Sequence, residues 1–184
     1  MAGPGPRRRL VVLDRDGVIN ADSDEYVKSP DEWHPLPGSL EAIARLCRAE
    51  FDVVVATNQS GVGRGLYTID TLDAIHARMR DAVAAAGGRI AGIYYCPHRP
   101  EDRCECRKPA PGLLHRIAAD FGQALDGVPF VGDKLSDAEA AVAAGARPVF
   151  IGTPRDEAER ERLRELGAEI YRDLASAADA LLAD

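Results

Sequence analysis

The chain has 184 residues, a formal net charge of -7 and four cysteines. That length can bury a substantial core without disulfides or partner subunits, and the acidic balance argues against non-specific nucleic-acid binding, which needs many lysines and arginines to neutralise phosphates. No apolar run approaches the ~20 residues that cross a bilayer, and no charged-then-apolar leader precedes the first strand, so a cytoplasmic protein acting on a small molecule is expected.

The opening residues, with prolines at 4 and 6 and arginines at 7, 8 and 9, read as a flexible solvated tail over 1–8. Residues 10–13 form a short apolar run that predicts a strand, and Asp14-Arg15-Asp16-Gly17 follows it directly. A helical pattern over 39–49, with Cys47 on its apolar face, leads to a second strand at 53–56 and then to Thr57-Asn58-Gln59-Ser60-Gly61. Helix 68–86 precedes a strand at 90–95, after which residues 96–111 are too rich in cysteine, proline and charge for an ordinary crossover. The remainder alternates regularly: helix 112–121, strand 128–131 ending in Gly132-Asp133-Lys134-Leu135-Ser136-Asp137, helix 136–144, strand 148–151, helix 156–166, strand 168–171 and helix 174–182. Several of these helices begin at Ser, Thr or Asp, the residues that cap a first turn.

Such alternation predicts an α/β fold, a Rossmann-like mostly parallel sheet with helices on both faces, in a single domain over 1–184. It also places functional groups just beyond the carboxyl ends of strands. Two carboxylates at Asp14 and Asp16 would repel if buried, unless a cation compensates them. A divalent metal would do so, freeing one carboxylate as a nucleophile toward phosphorus and the other to exchange a proton with a leaving group; otherwise the same residues make a solvated turn. The cluster after the second strand suits a phosphoryl oxygen. Arg107 and Lys108 place two cations ahead of a helix, and Asp133 and Asp137 return acid to a strand end.

Cys96, His98, Cys104 and Cys106 supply three thiolates and an imidazole, the donor set of a closed tetrahedral zinc site, with free thiols or a disulfide as the other readings. His34, His76 and His115 have no such company and read as ordinary histidines.

Taken in order, Asp-x-Asp-Gly, Thr, Lys and Gly-Asp-x-x-x-Asp resemble the four motifs of the haloacid-dehalogenase superfamily over residues 10–145. The resemblance implies that Asp14 is nucleophile and Mg²⁺ ligand, and that Asp16 is general acid/base with its backbone carbonyl on the metal. It implies that Thr57 and Lys108 steady the phosphoryl group, that Asp133 completes the protein's metal ligands, and that Asp137 orients Lys134 or a metal-bound water. With Cys-Pro-His…Cys-x-Cys-Arg-Lys-Pro added, the chain resembles the D-glycero-D-manno-heptose 1,7-bisphosphate phosphatases.

From that family follow a structural Zn²⁺ on the four cysteine and histidine ligands and a sugar-phosphate pocket lined by Asp22, Ser23, Asp24, Glu25, Asn58, Gln59, Ser60, Arg107 and Lys134; the few residues between motifs leave no room for a large cap domain. The implied reaction removes the C7 phosphate, with the β anomer favoured, for nucleotide-heptose and lipopolysaccharide-core synthesis. The apolar faces of the helices are sized for one core, which makes a monomer the default expectation, with a dimer as the other reading. Val18 stands where relatives commonly carry threonine, which touches fine specificity rather than the reaction. Histidinol-phosphate phosphatase is the neighbouring alternative, and a non-enzymatic zinc-bearing module the remote one.

Overall fold

The computed structural model describes residues 9–184, and all six expected strands form there. They are β1 (Arg9–Leu13), β2 (Phe51–Asn58), β3 (Ile90–Cys96), β4 (Pro129–Gly132), β5 (Arg147–Ile151) and β6 (Glu169–Tyr171). The helices are α1 (Ser39–Arg48), a single turn α2 (Ser60–Gly63), α3 (Ile69–Ala85), α4 (Gly112–Phe121), α5 (Leu135–Ala143), α6 (Glu157–Glu165) and α7 (Leu174–Ala183). One sheet results, ordered β3-β2-β1-β4-β5-β6, and every pairing in it is parallel. The chain therefore goes beyond the expected mostly parallel arrangement, because each successive strand is reached by a crossover rather than a hairpin.

Alternation along the strands divides the core between two faces. Val11, Leu13, Val53, Val55 and Val131 pack against the apolar stripes of α1, α3 and α7. Leu10, Val12, Val54, Ala56 and Phe130 pack against α4 and α5, and Leu163 of α6 completes a small cluster over Phe150. Central strands buried on both sides give the near-continuous apolar runs visible in the sequence.

The helix starts are capped in part as expected: the Thr68 hydroxyl accepts from Thr71 N–H, and Asp156 from Glu159 N–H. Ser136 is no cap, since α5 starts one residue earlier and Lys134 precedes it. Ser39 lies inside α1, where its hydroxyl donates to the carbonyls of Ile19 and Leu36 and so fastens the loop after β1. The tail expected over 1–8 lies outside the described residues. Arg9 belongs to β1, its guanidinium 4.3 Å from the centre of the Phe51 ring.

Two excursions rise above the carboxyl end of the sheet, one after β1 and one after β3, each carrying only a one-turn 3₁₀ helix (Pro30–Glu32 and Pro100–Asp102). The first is pinned to the core by Val18, Ile19, Val27 and Trp33. No large cap exists among the described residues, and none of their helices is long and apolar enough to cross a membrane. Strand order reverses between β1 and β4, so the crevice where α/β proteins bind ligands opens there.

Candidate active site

Register brings the separated motifs together. Leu13 pairs with Val55 on one side and Val131 on the other, so Asp14 leaves the sheet between Thr57 and Asp133. The Asp14 N–H donates to the Val131 carbonyl at 2.9 Å, holding this exit in place. Two glycines permit the closeness. Gly17 sits at φ +83°, and a β-carbon there would lie 2.0 Å from Asp133 Oδ2; one on Gly132 would lie 2.2 Å from the β-carbon of Asp137.

Lys108 arrives from the second excursion and is 4% exposed. Its ammonium has three donors and three partners: Asp14 Oδ1 at 3.0 Å, Asp137 Oδ1 at 2.7 Å and the Ala56 carbonyl at 2.9 Å. Asp137 thus serves Lys108 directly, while its other oxygen accepts from the Lys134 backbone N–H. Asp137 therefore touches Lys134 through its backbone, while the Lys134 ammonium lies 2.9 Å from Asp22. Asn58 fastens the Lys108 backbone by both its amide atoms, donating to the carbonyl and accepting from the N–H at 3.1 Å each.

Asp16 is held on all sides. Arg15, 1% exposed, donates to Asp16 Oδ1 from Nε at 3.1 Å and from Nη2 at 2.8 Å. Asn20 donates to the same oxygen, and Gln59 donates to Oδ2 at 2.8 Å. Gln59 also donates to Thr57 Oγ1 and accepts from the Tyr67 hydroxyl. Burial alone would push the Asp16 carboxyl up, but the Arg15 guanidinium and these hydrogen bonds keep it below the ordinary aspartate value.

The neighbouring acids behave in the opposite way. Burial, then the Asp137 and Asp16 carboxylates, push Asp14 up to about 6 despite Lys108. Burial and Asp14 push Asp133 up to about 7. Asp133 Oδ1 is buried with no hydrogen-bond partner, and oxygens of Asp14, Asp133 and Asp137 lie within 4.8 Å of one another. Such a set of hard oxygen donors, short of positive charge, fits Mg²⁺. Both Asp137 oxygens are engaged, by Lys108 and the Lys134 N–H, whereas Lys108 and the Arg15 N–H take only Oδ1 of Asp14, which leaves Asp14 Oδ2 and Asp133 as the available donors.

In the second excursion Cys96, His98, Cys104 and Cys106 converge as free thiols and an imidazole. Sulfur and Nδ1 atoms stand 3.1–3.6 Å apart, near the ~3.7 Å edge that a tetrahedron with zinc–sulfur bonds of ~2.3 Å requires. Burial and the neighbouring Cys106 thiol raise the Cys96 thiol well above its ordinary value, a situation that a divalent cation relieves. Cys96 closes β3, where Asn58 is its register partner and Gln59 N–H donates to its carbonyl at 2.7 Å. The thiol cluster is therefore bonded to the same strand end that holds Lys108.

An open cavity of about 600 Å³ lies over these groups, lined by Asp14, Asp16, Thr57 and Lys108 at its floor and by Asp22, Ser23, Asp24, Asn58, Gln59, Ser60, Arg107 and Lys134 around it. Glu25 is exposed and not part of its lining, and Asp133 faces an adjoining cavity with Gly17 and Ser39. Tyr26, at φ +66°, joins the wall without having been singled out from the sequence. Cys47, expected in the core, is partly buried beside Arg89.

Arg15, Asn20, Tyr67 and His76 also escaped sequence reading. Only His76 carried a usable signal, since it falls on the buried stripe of α3 with Leu72, Ile75, Met79 and Val83.

A HAD-hydrolase-like family model matches residues 105–177. A D-glycero-beta-D-manno-heptose-1,7-bisphosphate 7-phosphatase from Pseudomonas aeruginosa is 51% identical over 175 residues, covering 95% of this chain and 98% of the relative. The enzyme of the same description from Bordetella bronchiseptica is 51% identical over 176 residues, covering 95% and 98%. Among solved structures, the D,D-heptose 1,7-bisphosphate phosphatase from B. bronchiseptica complexed with magnesium and phosphate superposes with a TM-score of 0.88 at 50% identity, covering 95% of this chain and 98% of that one. The corresponding phosphatase from Burkholderia thailandensis gives 0.72 at 41% identity, covering 96% and 100%.

Proposed function

This chain belongs to the family of D-glycero-β-D-manno-heptose-1,7-bisphosphate 7-phosphatases within the haloacid-dehalogenase-like hydrolases, and from that premise we propose that it hydrolyses the C7 phosphate of the β-anomeric heptose bisphosphate with Asp14 as nucleophile. The observation that carries the mechanism is the buried Asp14–Lys108 contact, 3.0 Å, at the floor of the cavity. A carboxylate beside a fixed cation can both attack phosphorus and have the charge of the equatorial oxygens balanced.

In the first step an Asp14 oxygen bonds to phosphorus and the C7–O–P bond breaks on the sugar side of phosphorus, giving an aspartyl-phosphate and the heptose 1-phosphate. Asp16 hands its proton to the departing C7 oxygen. The negative charge of the entering phosphate supplies the upward push on Asp16 that protonation needs, against Arg15. In the second step Asp16 takes a proton from the attacking water, the acyl-phosphate bond breaks and inorganic phosphate leaves. Lys108 and Thr57 hold the transferring group through both steps. Magnesium held by Asp14, Asp133 and the Asp16 carbonyl would offset the burial and the mutual repulsion that keep Asp14 and Asp133 at raised values.

Arg107 and Lys134, on the cavity wall, are the cations available to the remaining phosphate, and the Asp22–Lys134 ion pair opens when an anion competes for the ammonium. Cys96, His98, Cys104 and Cys106 would hold zinc, which would fix the loop that presents Arg107, whose guanidinium donates to the His98 carbonyl. The chain acts as one catalytic domain and as a monomer, on a small sugar bisphosphate in the cytoplasm.

The test is Mg²⁺-dependent phosphate release from both anomers of the heptose bisphosphate, beside histidinol phosphate and fructose 1,6-bisphosphate. Preference for the β anomer is expected, and Asp14→Asn should lower turnover by at least about a thousandfold with the fold intact. Preference for histidinol phosphate would overturn the substrate assignment and keep the nucleophile. Turnover surviving in Asp14→Asn would overturn the mechanism.

A further inference from the structure

His76 lies on α3, outside every motif of the reaction, yet it is only 5% exposed and its Nε2 stands 3.3 Å from Arg15 Nη1. An imidazole in an apolar helix stripe needs a reason, since a leucine would bury more apolar surface without desolvating a polar ring. The partner supplies one. Arg15 cannot lose its charge, and its Nε and Nη2 are committed to Asp16, so burial leaves Nη1 in need of an acceptor. Neutral imidazole provides it, and burial followed by the Arg15 charge holds His76 far toward the neutral form, at about 3.

We propose that His76 is a positioning residue for the phosphoryl-transfer reaction, holding the Arg15 guanidinium in the plane that aims the Asp16 carboxylate at the leaving oxygen. The relay runs His76 Nε2, Arg15 Nη1, Arg15 Nε and Nη2, then Asp16, each link within hydrogen-bond distance when His76 carries its proton on Nδ1 and Nε2 accepts. Asn20 and Gln59 donate to one Asp16 oxygen each, while Arg15 donates to both oxygens and takes its own orientation from His76. The Tyr95 ring, 5.9 Å from the imidazole centre at an interplanar angle of 52°, flanks His76 on the strand side. This inference rests on the assignment of Asp16 as proton donor, and the experiment separates the two.

A positioned acid matters most when the leaving group is basic. An alkyl oxygen such as C7–O needs its proton, whereas p-nitrophenolate leaves without one. We would therefore measure kcat/KM on the heptose bisphosphate and on p-nitrophenyl phosphate for the Mg²⁺-loaded wild-type enzyme, His76→Leu, His76→Gln and Asp16→Asn. The ratio of the two constants cancels any loss of correctly folded protein, so a variant that folds poorly still reports. His76→Leu should lower the sugar-to-aryl ratio by about tenfold, a fraction of the ~10²–10⁴ that general acid catalysis supplies. His76→Gln, which keeps an acceptor for Nη1, should restore the ratio to within about threefold of wild type. An unchanged ratio in His76→Leu beside a lowered one in Asp16→Asn would overturn the role of His76 alone. An unchanged ratio in Asp16→Asn would overturn the assignment of Asp16 and the inference with it.

Discussion

The carboxyl end of β1 and the far edge of the sheet at β5 and β6 use the same chemical groups for different ends. At the centre Lys108, Asp14 and Asp137 form ion pairs with side chains 2–6% exposed. At the edge Arg147 grips Glu169 with side chains 30% and 37% exposed. Every oxygen of the Glu169 carboxylate has a donor, whereas the centre leaves Asp133 Oδ1 bare and drives two aspartates upward. A set of buried groups that are mutually uncomfortable persists only where something besides stability retains it, and at a cleft floor that something is chemistry. The edge pair is structural and screened by water.

The sharpest way to break this comparison is Lys108→Met, which keeps the stem and removes all three donors. Asp14 and Asp137 would then face each other with their shared cation gone. Urea unfolding in the presence of a chelator should show a loss of about 3–5 kcal/mol, and turnover should fall by at least about a hundredfold. A stability loss below about 1 kcal/mol would mean that the central pair behaves like a surface one.

Next in size is Cys104→Ser. Metal analysis should show zinc retention falling, as one of four ligands becomes a poor donor. Lys108 has anchors of its own in Asn58 and the Ala56 carbonyl, whereas Arg107 is tied to the His98 carbonyl inside the thiol loop. Losing a charged contact of about 1.5–3 kcal/mol should therefore raise KM roughly tenfold or more while kcat changes little. Unchanged zinc content would break the assignment of the cluster, and a collapse of kcat at constant KM would show that zinc governs Lys108 instead.

The centre was also far more legible in the sequence than the links that hold it. Strands buried on both faces announce themselves as apolar runs, and polar residues directly after 10–13, 53–56 and 128–131 follow from that placement alone. What escaped was pairing in space. Nothing in the order of residues said that Asp137 would meet the ammonium of Lys108, or that both amide atoms of Asn58 would be spent on the Lys108 backbone. Arg15 sits in a turn without periodicity, so its burial could not be read. His76 was readable in principle from the stripe of α3, but its partner lies 61 positions away. Caps misplaced at Ser39 and Ser136 show the usual limit of local rules, as tertiary contacts claimed the first and the turn after β4 displaced the second.

The smallest effect should come from Glu169→Gln, which turns one carboxylate oxygen facing Arg147 into an amide donor. In the wild type the Arg147 Nε and Nη2 donate to Oε1 and Oε2 at 2.5 and 2.9 Å, the Tyr171 hydroxyl donates to Oε2 at 2.6 Å, and Asp184 takes the remaining arm of the guanidinium at 2.7 Å. Asp184 stays to share the cation, so the substitution should cost no more than about 1 kcal/mol, less in high salt, and leave activity as it was. The pH dependence has a definite sign. The Arg147 hydrogen bonds hold the Glu169 carboxyl below its ordinary value of 4.5, against burial, so the folded chain releases this proton more readily than the unfolded one. The contribution is then complete above that ordinary value and lost as pH falls below it, and the gap between variant and wild type should close over the same interval. A gap that stays constant through that range, or one of several kcal/mol at neutral pH, would place the Glu169 pair with Lys108 and erase the distinction between edge and centre.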